Sequence, residues 1–238
     1  MTERNARTEP SEARVGVVIA GAGSGRRLGG VSKALLEMGG RSLLEHSLAP
    51  FLAESRTAAV VVALPPAEVV EPPARLVRLS RVKFVGGGKE RAESVKAALE
   101  TLPTGLDVIA VHDAARPLVT EDTVTKCFDL ALTGVGAVAG IPVVDSMKRV
   151  DGAGRVLEEV EREYLWHAHT PQCFPADFLL RAYRAGFGDA GSAMVADEAS
   201  LAAHMGFPVV MVAEDSPNPK ITYRSDLELA EAVLSRRR

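Results

Sequence analysis

Residues 17–30 read VVIAGAGSGRRLGG, an apolar run followed by three glycines at every second position and then two arginines. Closely spaced glycines after a buried strand allow the backbone to come near phosphate, where its N–H groups can bind oxygen. The arginines indicate that the partner is an anion. In open α/β sheets, ligands bind beyond the carboxyl ends of the strands, so the stretch predicts an α/β fold with a phosphate site after its first strand.

Runs rich in valine recur along the rest of the chain, with helical spacing between them. They are nearly continuous rather than alternating in polarity, which is typical of strands buried on both faces. Strand alternating with helix predicts a Rossmann-like, doubly wound and mostly parallel sheet in an α/β domain. The predicted strands cover residues 15–20, 58–64, 82–85, 107–111, 136–141 and 208–213.

Capping motifs mark the starts of two helices. Ser42 followed by Glu45 is a capping box, and Ser225 followed by Glu228 predicts a second one at the start of the last helix. Pro50 lies inside the first helical pattern, where it predicts a kink or an early end. Further helical spacing covers residues 91–102 and 121–132.

One stretch interrupts the alternation of strand and helix. Residues 143–150 and 155–160 flank the turn sequence DGAG at 151–154, which predicts a β-hairpin. A charged hairpin that stands off the sheet could be a lid, a dimerisation arm or a solvated edge ribbon.

Composition limits the class of protein. The 238 residues are 47% apolar and carry a formal charge of −3, which argues against a general nucleic-acid binder. Cys127 and Cys173 have no metal-ligand spacing and are interpreted as free thiols in a reducing cytoplasm. Residues 1–13 are polar and unlike a signal peptide, so we expect a disordered tail before a single domain at 14–238. No apolar run reaches the length of a membrane span.

The glycine loop matches neither of the two common phosphate loops. The position of the third glycine in a dinucleotide fingerprint is Arg26, and no Gly-Lys-Ser/Thr triplet of a Walker A loop is present. A dehydrogenase interpretation therefore rests on the glycines alone. Arg26, Arg27 and Lys33 lie close together in the sequence and could surround a triphosphate, although a solvated basic face is the alternative.

A second motif, VHDAARP at residues 111–117, follows a predicted strand. Asp113 should lie at the same carboxyl edge as the glycine loop, where one aspartate can hold Mg²⁺ together with phosphates and water. Arg116 adds a cation nearby. We interpret His112 as a buried or capping histidine rather than a base.

These two stretches belong to a set of blocks by which the chain, over residues 14–236, resembles the 2-C-methyl-D-erythritol 4-phosphate cytidylyltransferases of the non-mevalonate isoprenoid pathway. Any one block is modest evidence, but their combination and order are specific. The blocks are AGAGSGRRLGGVSK, GGGKERAESV, VHDAARP, VVDSMKRV leading to LWHAHTPQCF, and DEASL leading to PKITYRSDLELAEAVL.

The resemblance implies that a phosphate oxygen of methylerythritol phosphate attacks the α-phosphorus of CTP and that pyrophosphate leaves. It implies a nucleotidyltransferase fold, Mg²⁺ or another divalent cation on Asp113, and transition-state stabilisation by Arg27 and Lys33. The nucleotide would lie against Gly21, Ala22, Gly23 and Gly25, with Gly88 and Ser94 reading the cytosine. The sugar phosphate would be held by Arg116, Ser146, Arg162, Thr170 and Lys220, of which Arg162 and Lys220 position the attacking phosphate.

The resemblance also gives the hairpin a role. The β-arm, about residues 143–165, is expected to clasp a second subunit, and Arg162 is expected to reach the partner's site in a homodimer. A cytidylyltransferase for another polyol phosphate, such as ribitol 5-phosphate, and a non-catalytic nucleotide-binding scaffold are the alternative functions.

The sequence departs from the family pattern around the expected site. Gly21 adds a glycine to the loop, Ser32 replaces the proline before the loop lysine, and Ala196 replaces a threonine. Pro217 and Pro219 stiffen the segment before Lys220. Lys89 either touches the base edge or points to solvent.

Overall fold

A seven-stranded sheet forms the centre of the protein, in a computed structural model that describes residues 12–23, 32–72, 74–186 and 196–237. The strands of this sheet are β1 (Val15–Ala20), β4 (Thr57–Leu64), β5 (Val82–Gly86), β6 (Val108–Asp113), β7 (Gly136–Pro142), β10 (Trp166–Pro175) and β11 (Val209–Ala213). Two short strands, β2 (Glu37–Met38) and β3 (Arg41–Ser42), pair with each other, as do β8 (Met147–Val150) and β9 (Val156–Val160).

Helices connect these strands on both sides of the sheet. They are α1 (Leu43–Ala53), α2 (Pro66–Val70), α3 (Ala74–Val77), α4 (Arg91–Leu99), α5 (Glu121–Leu132), α6 (Ala176–Arg184), α7 (Glu198–His204) and α8 (Arg224–Arg236), with a 3₁₀ turn at Lys33–Leu35. Within the described ranges, none of these helices has the length and apolar character needed to cross a bilayer.

The strand order is β11-β7-β10-β6-β1-β4-β5, and all neighbours pair in parallel except β10, which is antiparallel to both β6 and β7. The mostly parallel, doubly wound sheet is therefore confirmed, and each of the six predicted strands is present within two residues of its predicted ends. Strand β10 was not predicted from the sequence. Its run WHAHTPQCFP lacks the valine-rich character of the others, because several of its polar side chains are hydrogen-bonded in the interior.

The core lies on both faces of the sheet because successive strand residues point to opposite sides. Val17 and Ile19 of β1 belong to a cluster that includes buried residues of α1 and α5. Val18, between them, belongs to the cluster with α4, α6 and α7. A smaller cluster around Met38 and Ile221 lies under α8.

The helix ends confirm some capping predictions and correct others. The Ser42–Glu45 capping box is present at the start of α1, and α5 has its predicted bounds. Of the two alternatives at Pro50, the early end is wrong, since α1 continues to Ala53 and the buried Phe51 beyond the proline packs in the core, while the kink stays a prediction. Burial of that face outweighs the hydrogen bond that proline cannot donate.

Two helix bounds differ from the sequence prediction. Helix α4 ends at Leu99 rather than at residue 102. The Ser225–Glu228 capping box is wrong, because α8 begins at Arg224 and the carboxylate that accepts the Tyr223 N–H, at 2.8 Å, is that of Asp226.

The hairpin stands apart from the central sheet as predicted. Strands β8 and β9 pair antiparallel with Met147 opposite Val160, and nearly all of their residues are exposed. Apolar side chains are exposed along it and next to it, including Val144, Val156, Leu157 and Tyr164.

The register of the sheet brings the predicted site segments to one edge. Ala20, the last residue of β1, lies opposite Asp113 at the end of β6 and opposite Ala63 of β4. Gly86, at the end of β5, lies opposite Leu64. The glycine loop, the loop after β5 and the VHDAARP motif therefore leave the sheet side by side.

Candidate active site

A cleft of about 240 Å³ opens at this carboxyl edge of the sheet. The loops after β1, β5 and β6 form its walls, together with the start of α4 and the segment before α8. The predicted site residues that line it are Gly21, Ala22, Gly23, Lys33, Gly88, Ser94, Asp113 and Lys220. Gly25 and Arg27 lie outside the described residues.

Asp113 is the anionic centre of the cleft and is almost fully buried. Its Oδ1 accepts from Arg91 Nε at 2.9 Å, and its Oδ2 accepts from Lys220 Nζ at 2.6 Å. Burial alone would raise the pKa of this carboxyl, but the charges of Arg91 and Lys220 hold the pKa well below its ordinary value. Asp113 is therefore ionised at neutral pH and ready to bind cations.

Arg91 is held in place by a second carboxylate, that of Glu198. Its Nη1 and Nη2 donate to Glu198 Oε1 and Oε2 at 2.9 Å and 3.0 Å, a two-pronged ion pair. Burial would lower the pKa of Arg91, but Glu198 and Asp113 raise it well above its ordinary value. The Tyr183 hydroxyl also donates to Glu198 Oε1, at 2.9 Å.

His112 lies behind Asp113 and is fully buried. Thr170 Oγ1 accepts the Asp113 backbone N–H at 3.0 Å and lies 3.0 Å from His112 Nδ1, so the threonine hydroxyl donates to that nitrogen. The other nitrogen, Nε2, then donates to the Arg116 carbonyl at 3.1 Å. Burial lowers the pKa of His112 to about 4, so the ring is neutral near pH 7. These contacts support the interpretation of His112 as a buried histidine.

Arg116 fixes the segment that carries Lys220. Its Nη1 donates to the backbone carbonyl of Asn218 at 2.9 Å, and both side chains are buried. Asn218 Nδ2 in turn donates to Glu214 Oε1 at 2.9 Å, and the Ile221 N–H donates to the Ala115 carbonyl at 2.8 Å. The pose of Lys220 is thus set by anchors on both sides of it.

The glycines around the cleft allow loops to approach closely. A Cβ at Gly87 would lie 2.2 Å from Ala22 Cβ and 2.8 Å from Ser94 Oγ. A Cβ at Gly21 would lie 3.1 Å from the Ala63 carbonyl oxygen, to which the Gly21 N–H donates at 2.9 Å. These two glycines therefore have a packing role, because a side chain at either position would push the loops apart.

Ser94 ties the loop after β5 to the start of α4. Its hydroxyl donates to the Glu90 carbonyl at 3.1 Å and accepts the Gly88 N–H at 3.1 Å. Gly88 and Ser94, which the resemblance places at the base, are therefore held as one unit.

The remaining predicted residues lie away from the cleft of their own chain. Ser146 and Arg162 are exposed on or beside the hairpin. Ser146 Oγ accepts from Lys148 Nζ at 2.7 Å, and Arg162 donates to the Val144 carbonyl. Thr170 is 4% exposed and lies behind Asp113, so its predicted contact with the sugar phosphate stays a prediction.

Comparison with known protein families matches residues 15–236 to the family described as 2-C-methyl-D-erythritol 4-phosphate cytidylyltransferase, IspD. The chain belongs to this family. Its members named as 2-C-methyl-D-erythritol 4-phosphate cytidylyltransferase include a Klebsiella pneumoniae protein, 38% identical over 224 residues, which are 93% of this chain and 94% of the relative. A Streptomyces avermitilis protein of the same name is 39% identical in an alignment of 247 positions that covers 98% of this chain and 97% of the relative.

Solved structures of the family have the same fold. The crystal structure of 2-C-methyl-D-erythritol 4-phosphate cytidylyltransferase from Thermus thermophilus superimposes with a TM-score of 0.75 at 36% identity, over 94% of this chain and 99% of that one. A 4-diphosphocytidyl-2C-methyl-D-erythritol synthase from Anaerococcus prevotii, at 22% identity, gives a TM-score of 0.82 over 96% and 100% of the chains and supports the fold alone. As a family member, the protein is a CTP-dependent nucleotidyltransferase.

The cation site that the family resemblance implies would be simple. Among the described residues, no group of three or more histidine, cysteine, aspartate or glutamate side chains could together hold a metal ion. Two carboxylates line the cleft, those of Glu90 and Asp113, and Asp113 is the one that the resemblance assigns to the cation. A single carboxylate fits Mg²⁺, which usually keeps several waters and binds substrate phosphates rather than a cage of protein ligands.

Sequence reasoning missed two residues that hold Asp113, namely Arg91 and Glu198. Both lie inside the quoted family blocks, GGGKERAESV and DEASL, but no role was assigned to them there. They are 107 residues apart, so no local pattern links them. Asn218 was also missed, and its position between two prolines was the signal that could have drawn attention to it.

Proposed function

We propose that this protein transfers CMP from CTP to 2-C-methyl-D-erythritol 4-phosphate, giving 4-diphosphocytidyl-2-C-methyl-D-erythritol and pyrophosphate. The observation that carries the proposal is the convergence of Lys33, Asp113 and Lys220 on one cleft beside the glycine loop. Membership of the family supports the same reaction.

The nucleotide end of the cleft is built from backbone. Gly21, Ala22 and Gly23 line it from the loop after β1. Gly88, in the loop after β5, and Ser94, in α4, line it from the other side. A pocket of small residues and one hydroxyl suits a pyrimidine and leaves little room for a purine. Arg27 and Lys33 are proposed to stabilise the charge that develops on the phosphates, and a divalent cation on Asp113 would share that task.

The attacking group needs no general base, because a phosphate oxygen is already ionised at neutral pH. The task of the protein is therefore to place that oxygen in line with the α-phosphorus. We assign this task to Arg162 and to Lys220, which is held at the cleft by the anchored Asn218 and Ile221. Arg116 and Thr170 are proposed to help hold the sugar phosphate.

The hairpin is proposed to complete the site of a second subunit. Val156, Leu157 and Tyr164 expose apolar surface, at 63%, 63% and 82%, which is unusual for a ribbon that faces only water. Arg162 and Ser146 lie on this arm, away from the cleft of their own chain. A homodimer in which arms exchange would bring both residues to a substrate phosphate.

Subunit mixing tests the exchanged arm. Arg162→Ala and Lys33→Ala variants should each be nearly inactive, and the former should still bind CTP. After the two are unfolded together and refolded in equal amounts, half of the dimers are mixed and each has one intact site, so about one quarter of wild-type activity should return. Two inactive variants that give no recovery in the mixture would mean that Arg162 acts within its own subunit, and an active Arg162→Ala variant would mean that Arg162 has no role in the reaction.

Pyrophosphate release tests the reaction itself. The purified protein is mixed with CTP, Mg²⁺ and either methylerythritol 4-phosphate or ribitol 5-phosphate, with Lys33→Ala alongside. Release with methylerythritol phosphate alone, lost in the variant, is the expected result. Pyrophosphate release with ribitol 5-phosphate instead would mean that the substrate is a different polyol phosphate. CTP binding without pyrophosphate release with either substrate would favour a non-catalytic scaffold.

We further propose a cytoplasmic location. Cys127 and Cys173 are buried free thiols, as expected for a protein in a reducing compartment. Labelling of the thiols in freshly lysed cells, compared with labelling after reduction, would test this.

A further inference from the structure

The DEASL block is the quoted family block to which the reaction assigns no task. Its first residue, Asp197, caps α7 by accepting the Ser200 N–H at 2.9 Å. Its second, Glu198, is completely buried, and its carboxylate binds Arg91, which lines the cleft. A buried carboxylate is costly unless it is paired and hydrogen-bonded, so its partners indicate what it does.

The partners of Glu198 are Arg91 and Tyr183. The two Nη atoms of Arg91 meet the two carboxylate oxygens, and the Tyr183 hydroxyl donates to one of them. Gln172 of β10 fixes α7 to the sheet, since its Oε1 accepts the Ala199 N–H at 2.9 Å and its Nε2 donates to Asp197 Oδ2 at 3.0 Å. Glu198 is thereby held rigidly against the sheet.

The fork uses one N–H of each Nη atom of Arg91, and the N–H at Nε meets Asp113 Oδ1 at 2.9 Å. The opposite oxygen, Oδ2, has a different kind of partner. Lys220 reaches it with a single flexible ammonium, and the Lys220 side chain is 45% exposed. The two oxygens of Asp113 therefore differ, because Oδ1 is held by a fixed guanidinium and Oδ2 by a flexible ammonium that can be exchanged.

We infer that Arg91 and Glu198 are a positioning pair that holds Oδ1 of Asp113 and leaves Oδ2 facing the cleft. When CTP binds, the divalent cation that accompanies it replaces Lys220 as the partner of Oδ2. This inference rests on the proposed role of Asp113. The inference also explains why Arg91 is paired with Glu198, since an arginine without a compensating carboxylate would repel the cation that Asp113 is to bind.

The pair gives a clean test because Arg91 and Glu198 cancel in charge. The double variant Arg91→Met/Glu198→Met removes the hold on Asp113 but leaves the net charge of the site unchanged and no unpaired charge in the interior. Arg91→Lys keeps the charge but cannot form the fork and the Asp113 contact together. Arg56→Lys is the matched control, because Arg56 is a buried arginine that also makes a two-pronged contact with a glutamate, through Nε and Nη2 to Glu54, away from the cleft.

The measurement is the affinity for CTP by titration calorimetry, once with Mn²⁺ and once with EDTA, without the sugar phosphate so that no turnover occurs. The dissociation constant with EDTA divided by that with Mn²⁺ reports how strongly the metal ion increases the affinity for CTP. We expect Arg91→Lys and the double variant to reduce this ratio by about 10-fold or more, the usual effect of removing a group that orients a metal ligand. Arg56→Lys should lower the melting temperature and leave the ratio unchanged.

The outcomes separate the pair from the proposed function. A wild-type ratio of one would mean that Asp113 does not couple a cation to CTP, which overturns the metal role itself. A normal wild-type ratio that is retained in both Arg91 variants would overturn the positioning pair alone. Equal losses of affinity with Mn²⁺ and with EDTA would also overturn it, because Arg91 would then act on the nucleotide directly. A structural role would lower the melting temperature without changing the ratio.

Discussion

The close approach at Gly87 makes a substitution there the sharpest test of the nucleotide pocket. A methyl group at Gly87 would lie 2.2 Å from Ala22 Cβ, more than 1 Å inside the ~3.5 Å at which two carbon atoms normally meet. The position cannot yield easily, since the Gly87 N–H donates to the Leu64 carbonyl at 2.7 Å. Gly87→Ala must therefore displace the loop that carries Ala22.

The size of the effect follows from the cost of overpacking. An extra methyl group in a well-packed region costs about 1–3 kcal/mol. If the loop relaxes in the free protein and must return to bind CTP, this cost appears in the dissociation constant. At about 1.4 kcal/mol per factor of ten, the affinity for CTP should fall between about 5-fold and about 150-fold.

The assay is titration calorimetry with CTP, supported by thermal unfolding. Gly86→Ala is the neighbouring control, because a Cβ there would lie 3.8 Å from its nearest neighbour, Pro66 Cγ, an ordinary contact. It should bind CTP within about twofold of the wild type, given that its neighbours need not move. If Gly87→Ala binds CTP as tightly as Gly86→Ala and melts at the same temperature, the inference that the loops after β1 and β5 need a glycine at their contact is refuted.

Three further predictions concern the buried contacts behind Asp113. The pKa of His112 is about 4 in the folded protein and about 6.5 as an ordinary value. As the pH falls, the unfolded chain therefore takes up a proton before the folded protein does, which lowers the free energy of unfolding by about 2 kcal/mol at pH 5. The wild type should therefore lose about 2 kcal/mol more than His112→Asn between pH 7 and pH 5 in urea unfolding; equal losses would contradict the assignment. Thr170→Val deprives His112 and the Asp113 N–H of a partner and should cost about 1–3 kcal/mol of stability, measured in the same way against wild type. Arg116→Met frees the Asn218 carbonyl and should raise the KM for the sugar phosphate more than that for CTP; a change in the CTP value alone would place Arg116 elsewhere.

Much of the architecture was predictable because its signals are local. The valine-rich run of β1 reports burial on both faces, and the Ser42–Glu45 box closes its hydrogen bonds within one turn. The glycine loop and Asp113 could be assigned to one edge because parallel strands end together, as the register of Ala20 and Asp113 confirms. The family blocks supplied residue roles that no local pattern contains.

What only the tertiary structure decided is how distant polar groups are paired. Strand β10 enters the middle of the sheet antiparallel, and its Thr170 and Gln172 were not recognised as strand residues because a pattern of apolar residues cannot show that a polar side chain will be satisfied in the interior. Nothing in the sequence links Arg91 with Glu198. They become a buried pair because the fold removes both from water, and each is then stabilised by the other across 107 residues.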